Sequence, residues 1–120
     1  MQRKTFTHAV LATAIATLGL GAFAQGSGYP TKPIRLIVPF PPGGSVDYVA
    51  RTISQKLSEN LGQSVVVDNK GGASGTIGTY EASRAAPDGY TLLLVFDSHA
   101  VNGSLYDIKY DTFKSFDYVS

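Results

Sequence analysis

The chain has 120 residues, 43% hydrophobic and 16% charged, with no cysteine and a formal net charge of +1. Without cysteine it has neither a disulfide framework nor thiolate metal sites, so a folded domain must rely on its apolar core. Its basic residues are scattered, which argues against nucleic acid and anionic membrane surfaces as partners.

The first segment reads as an address. Arg3 and Lys4 form a positive start, residues 9–20 an apolar run, and Ala22-Phe23-Ala24 a small-x-small cleavage signal before Gln25. A signal peptide over residues 1–24, cleaved after Ala24, is therefore expected. The apolar run falls short of the ~20 residues that span a bilayer, and no later run is longer, so no stable membrane insertion is expected after cleavage. The leader holds two of the ten basic residues and no acid, leaving eight basic against nine acidic residues in the mature chain.

Residues 34–38 alternate around Arg35 and are rich in β-branched side chains, which predicts a strand. Pro39-Phe40-Pro41-Pro42-Gly43-Gly44-Ser45-Val46-Asp47 follows, and Val46, Val49, Ala50, Ile53 and Leu57 then recur at helical spacing, predicting a helix over about 45–60 with Gly62 as its stop. A second strand is expected over 64–68 around Val65-Val66-Val67. A second glycine-rich turn, Asn69-Lys70-Gly71-Gly72-Ala73-Ser74-Gly75-Thr76, leads into a helix over 77–86 closed by Pro87-Asp88-Gly89, and residues 91–96 read as a third strand. Near-continuous apolar strands separated by short helices predict an α/β fold, a βαβαβ parallel sheet with right-handed crossovers and helices on both faces.

In such a sheet the loops after the strands share one edge, so residues 40–47, 70–76 and 97–100 should converge there, where open parallel sheets bind ligands. Two of these loops carry paired glycines ahead of a helix N-terminus, where unpartnered backbone N–H groups and the positive end of the helix dipole favour an anion. The candidate ligand-binding residues are Phe40, Pro42, Gly43, Gly44, Ser45 and Asp47 in the first loop, Ala73, Gly75 and Thr76 in the second, and Ser98 and His99 in the third. Plainer readings exist: Ser45 and Thr76 as helix caps, Asp47 as a cap or early-turn anion in place of a ligand-linked water contact, His99 as a hydrogen-bonded loop or domain-edge residue, and Phe40 as core. An enzyme built on Ser45, Asp47, Ser98 and His99 lacks a Gly-x-Ser-x-Gly elbow, and a phosphate loop at 71–76 lacks its closing Gly-Lys-Ser/Thr. No catalytic residue, cofactor or metal is expected, because a lone histidine at the edge has no partner at ligand spacing.

Beyond these patterns, Tyr29 to Gly44 with Asp47 and Ala50-Arg51 resembles the opening of the Bug family, the substrate-binding proteins (TctC-like) of tripartite tricarboxylate transporters. Gly62-Gln63-Ser64-Val65-Val66-Val67-Asp68-Asn69, Gly75-Thr76-Ile77-Gly78, Ala86-Pro87-Asp88-Gly89-Tyr90-Thr91-Leu92-Leu93, and His99-Ala100-Val101-Asn102 with Ser104-Leu105-Tyr106 are similar to further signatures of that family, in order. The resemblance implies a type II periplasmic-binding-protein-like lobe. Residues 25–120 would be the truncated first lobe of a two-lobe, monomeric solute-binding protein, with the second lobe missing; the close at Phe116-Asp117-Tyr118-Val119-Ser120 carries no stop or turn signal. It further implies capture in the periplasm of a small carboxylate, whether a di- or tricarboxylate, an acidic amino acid or an aromatic acid. Delivery would be to the membrane subunits of a tripartite transporter or, in some members, to a sensor. In the family the two glycine loops hold a ligand carboxylate through main-chain N–H groups and water, a role that would fall here to Pro42, Gly43, Gly44, Ser45, Ala73, Gly75 and Thr76. The chain departs from the pattern at Lys70-Gly71, at Ser74 where glycine is common, at Gly103 where proline is expected, and at Asp97, whose carboxylate must turn away from an anion or pair with Lys70.

Overall fold

The β-branched run IRLIV forms β1 (Ile34–Val38), the central strand of a three-stranded parallel sheet, in a computed structural model that describes residues 28–120. The expected leader lies outside the described residues. α1 (Ser45–Leu61) follows β1. Next come β2 (Val65–Asn69), a 3-10 turn at Ala73–Gly75, α2 (Thr76–Ser83), β3 (Thr91–Leu93) and α3 (Ser98–Leu105). The strand order is β2-β1-β3, with Ile34 paired to Val65 and Arg35 to Thr91.

Alternation along β1 sends its residues to two layers. Ile34, Leu36 and Val38 form one cluster with Val46 and Ala50 of α1 and with Val65, lined by Leu57, Val67, Leu92 and Leu94. On the other face lie Ile37, fully buried, and Arg35, which reaches Glu81 of α2. Helices therefore cover both faces, as the strand character predicts. Each fully buried aliphatic side chain contributes about 1.5–3 kcal/mol. The ion cluster of Arg35, Asp68, Lys70 and Glu81 is about one-third exposed and so counts for less than the apolar layer beneath α1.

Element ends differ from the sequence pattern for local reasons. The third strand stops at Leu93 although apolar residues run on to Phe96. Only Leu94 N–H still reaches β1, at the carbonyl of Ile37 (3.0 Å), because β1 itself ends where Pro39 breaks the ladder. α2 ends at Ser83, short of Ala86. The Ser83 hydroxyl donates back to Tyr80 O (2.7 Å), Arg84 and Ala85 close with tight turns onto Glu81 O and Ala82 O, and Pro87 disfavours a helical Ala86. The third loop winds into a helix that polar, glycine-containing SHAVNGSL does not advertise. Asp97 starts it by accepting the Ser98 N–H at 2.8 Å, which is where its carboxylate goes; Lys70 instead sits 3.9 Å from Asp68 and Glu81.

Gly78 is where α2 crosses the sheet edge. A Cβ there would stand 2.6 Å from Lys70 O and 2.9 Å from the Cα of Pro39, both backbone atoms with little freedom to yield. Gly78→Ala would gain about 1 kcal/mol of helix propensity, but the clash works against it and overpacking of this kind costs ~1–3 kcal/mol. A lowered urea midpoint is the expected outcome; a raised one would mean that the crossing is looser than these distances.

Candidate functional site

Parallel strands deliver the three post-strand loops to one edge, and the side chains there interlock. Phe40 and Phe96 lie with ring centroids 6.0 Å apart. A Cβ on Gly75 would touch the Phe40 ring at 3.2 Å, and one on Gly71 the Pro41 nitrogen at 3.2 Å. The first and second loops are thus in contact.

The first loop is built around Asp47. This carboxylate is 4% exposed and accepts the Gly43 N–H (2.9 Å), the Arg51 Nε–H (2.9 Å) and the Asn69 side-chain amide (3.0 Å). Asn69 also donates to Phe40 O at 3.1 Å, so one carboxylate and one amide tie the loop, α1 and the end of β2 together. The hydrogen bond from Arg51, then those from Gly43 and Asn69, hold the Asp47 carboxyl down to about 2. Both of its oxygens are engaged within the protein.

Ser45 is the first residue of α1, and the cap position belongs to Gly44, which brings no side-chain acceptor. The backbone N–H groups of Gly44, Ser45 and Val46 consequently donate to no protein acceptor among the described residues. Pro42 is exposed and has no N–H. α2 likewise begins after a glycine, Gly75, without a side-chain cap. There the Gly75 N–H donates to Gly72 O (2.9 Å), and the Thr76 hydroxyl (2.9 Å) and N–H both donate to Ala73 O. The backbone donors of this loop without a protein acceptor among the described residues lie one to three residues before Gly75, at Gly72, Ala73 and Ser74. Those residues carry positive φ, 131°, 46° and 54°, followed by 86° at Gly75. For Ala73 and Ser74 this left-handed backbone costs on the order of 1–2 kcal/mol each.

The third segment splits. Ser98 opens α3 at the edge, while His99 is buried, stacked on Tyr110 (6.0 Å, 2° between rings) and edge-on to Phe116 (5.4 Å). His99 thus sits in an aromatic cluster with the segment that follows α3, and no geometry links it to Ser45. Among the described residues no three His, Asp or Glu side chains gather in a way that would hold a metal ion. Arg51, the cation bonded to the first loop's carboxylate, is committed to Asp47 and Asn69. The edge offers backbone dipoles rather than fixed positive charge. Three contributors are not among the expected site residues although they stand in the family-like signatures: Asn69, at the end of an apolar strand, and Asn102 and Tyr106, which contact Ser74 from α3 and its end.

A family model described as tripartite tricarboxylate transporter family receptor (TctC) matches residues 49–120. The chain belongs to this family. Protein BugT of Bordetella pertussis is 52% identical over 86 residues, 72% of this chain and 26% of that relative. Among solved structures, the periplasmic binding protein BugD superposes with TM-score 0.71 at 46% identity, over 73% of this chain and 30% of BugD. MatC from Rhodopseudomonas palustris, solved with bound malate, superposes with TM-score 0.68 at 34% identity, over 73% of this chain and 31% of MatC. The chain spans between a quarter and a third of the length of these relatives, and its fold is that of the corresponding part of a TctC/Bug binding protein.

The Asp47 knot predicts a pH signature. Its carboxyl titrates near 2 when folded against an ordinary 3.8, so between these values the folded state binds fewer protons than the unfolded one. The stabilisation is complete above about pH 5 and lost as pH falls from about 4 through 2. Asp47→Asn should therefore lower the urea midpoint at pH 7, with the gap to wild type narrowing towards pH 2. A gap independent of pH would remove the charge from the account.

Proposed function

We propose that the protein captures a small carboxylate in the periplasm, after loss of residues 1–24, for a tripartite tricarboxylate transporter, binding without turnover. The observation that carries this reading is the pair of glycine-capped helix starts on one sheet edge, with N–H groups at Gly44, Ser45 and Val46 and at Gly72 to Ser74 that meet no protein acceptor among the described residues, and with Arg51 and Lys70 both paired to carboxylates. A helix N-terminus carries roughly half a positive charge. Two such ends suit a carboxylate, whose oxygens accept several N–H bonds without a full counter-charge. Family membership and the malate bound by MatC support the same class of ligand.

In this reading the carboxylate docks against Gly44 and Ser45 of the first loop and Ala73 and Ser74 of the second. Phe40, Pro42, Gly43, Gly75 and Thr76 shape the floor and Asp47 holds it from behind. Ser98 lines the third side, with His99 anchoring α3. A second lobe then closes over the remainder of the ligand by hinge motion, and the closed, monomeric form is what the membrane subunits recognise. The acid's class is left open among di- and tricarboxylates, acidic amino acids and aromatic acids, because the head group meets this lobe and the distal part meets the other.

The test is a thermal-shift panel on the full-length mature protein, with these acids alongside phosphate and sugars. One carboxylate class should raise Tm by mass action, by about 2.7 kcal/mol of stabilisation at a hundredfold excess over Kd. Shifts confined to phosphate compounds would overturn the reading. Gly44→Val, whose Cβ would meet only Pro41 O at 3.7 Å, should leave the fold intact yet weaken binding at least tenfold, the loss that follows from ~1.4 kcal/mol of obstructed approach. Calorimetric titration measures it.

A further inference from the structure

We infer that Asn102 and Tyr106 are positioning residues, which hold the second loop in its left-handed conformation so that its free N–H groups stay aimed for a ligand. The inference rests on the carboxylate reading above and adds a part of the machinery that neither glycine loop contains.

Ala73 and Ser74 adopt φ values of 46° and 54°, a backbone that a non-glycine residue keeps only where its surroundings impose it. What surrounds Ser74 comes from α3. The Asn102 side chain, 2% exposed, donates from Nδ2 to Ser74 O at 3.0 Å, and the Tyr106 and Ser74 hydroxyls are hydrogen-bonded at 2.9 Å. Asn102 and Tyr106 stand one helical turn apart, with Tyr106 N–H donating to Asn102 O at 2.9 Å, so both reach the loop from the same end of α3. The helix is itself fixed. Asp97 caps its start, and His99 locks it against Tyr110 and Phe116. A rigid helix therefore grips the carbonyl and the side chain of one of the two non-glycine residues with left-handed backbone, and it supplies by clamping what a glycine at position 74 would supply by its own freedom.

That equivalence gives the test. In the full-length protein, Asn102→Ala and Tyr106→Phe should each lose the strong intraresidue HN–Hα cross-peak that a positive φ produces at Ser74. Each should also weaken binding of the carboxylate identified by the panel about tenfold, the weight of one misaligned contact. Adding Ser74→Gly to Asn102→Ala should restore most of the affinity, because glycine keeps the loop shape unaided. A role confined to supporting the fold would not be rescued by that change. Unaltered Ser74 cross-peaks in both single variants, or a double variant as weak as Asn102→Ala alone, overturns the inference. Altered cross-peaks in a protein whose wild type binds no carboxylate would sustain the clamp and reject the ligand reading, so the two failures remain distinct.

Discussion

The structure turns on one buried carboxylate. Asp47 sits behind the first glycine loop and gathers donors from three elements: the loop at Gly43, its own helix at Arg51, and the end of β2 at Asn69. A buried charge is tolerable only when paired and hydrogen-bonded, and here the pairing consumes the Gly43 N–H and the Arg51 guanidinium together. The donors left over, from Gly44 onward, are those that the helix cannot satisfy internally. An acid close to the proposed anion site looks contradictory, yet its charge is met by Arg51, and its geometric effect is to fix the bend ahead of the remaining N–H groups.

The second loop obeys a different logic. It has no buried charge to organise it, and its internal bonds from Gly75 and Thr76 close a tight turn without fixing the residues before it. Its strained stretch depends on α3 instead. The lysine that could have placed a charge at the edge, Lys70, is drawn into the ion cluster with Asp68 and Glu81 on the α2 side of the sheet. Both loops thereby end with the same property, backbone donors without a competing cation, reached through a salt bridge in one and a helix clamp in the other.

How far the sequence disclosed this follows from which forces were local. The strands, the crossovers and the shared edge were legible because β-branched runs, helical spacing and Gly62 are signals carried by neighbouring residues. The α1 start was legible only to within one residue: Ser45 has the chemistry of a cap, but the turn places Gly44 there. α3 was not legible. Its stability comes from the Asp97 cap and from an aromatic cluster that closes through Tyr110 and Phe116, contacts that no short window contains. For the same reason Asn69, Asn102 and Tyr106, though they stand in the family-like signatures, were given no role as supports, since an amide or a phenol becomes a support only when the fold brings it to a backbone carbonyl or a hydroxyl. The burial of His99 belongs to this group as well.

The proposed site, assembled from main-chain groups, has a consequence for specificity. Backbone N–H groups read charge and the shape of a carboxylate head, and they read little else, because every residue presents the same donor. Sequence change at the edge therefore alters loop stiffness sooner than chemistry: Ser74 for glycine is tolerated where a clamp exists, and Asp97 is tolerated where it caps a helix. Under the proposed carboxylate reading, discrimination among acids would then arise where side chains meet the distal part of the ligand, away from these two loops. Such a division would let relatives that are 34–52% identical over this region share the grip on the head group and differ in the part that meets the rest of the ligand.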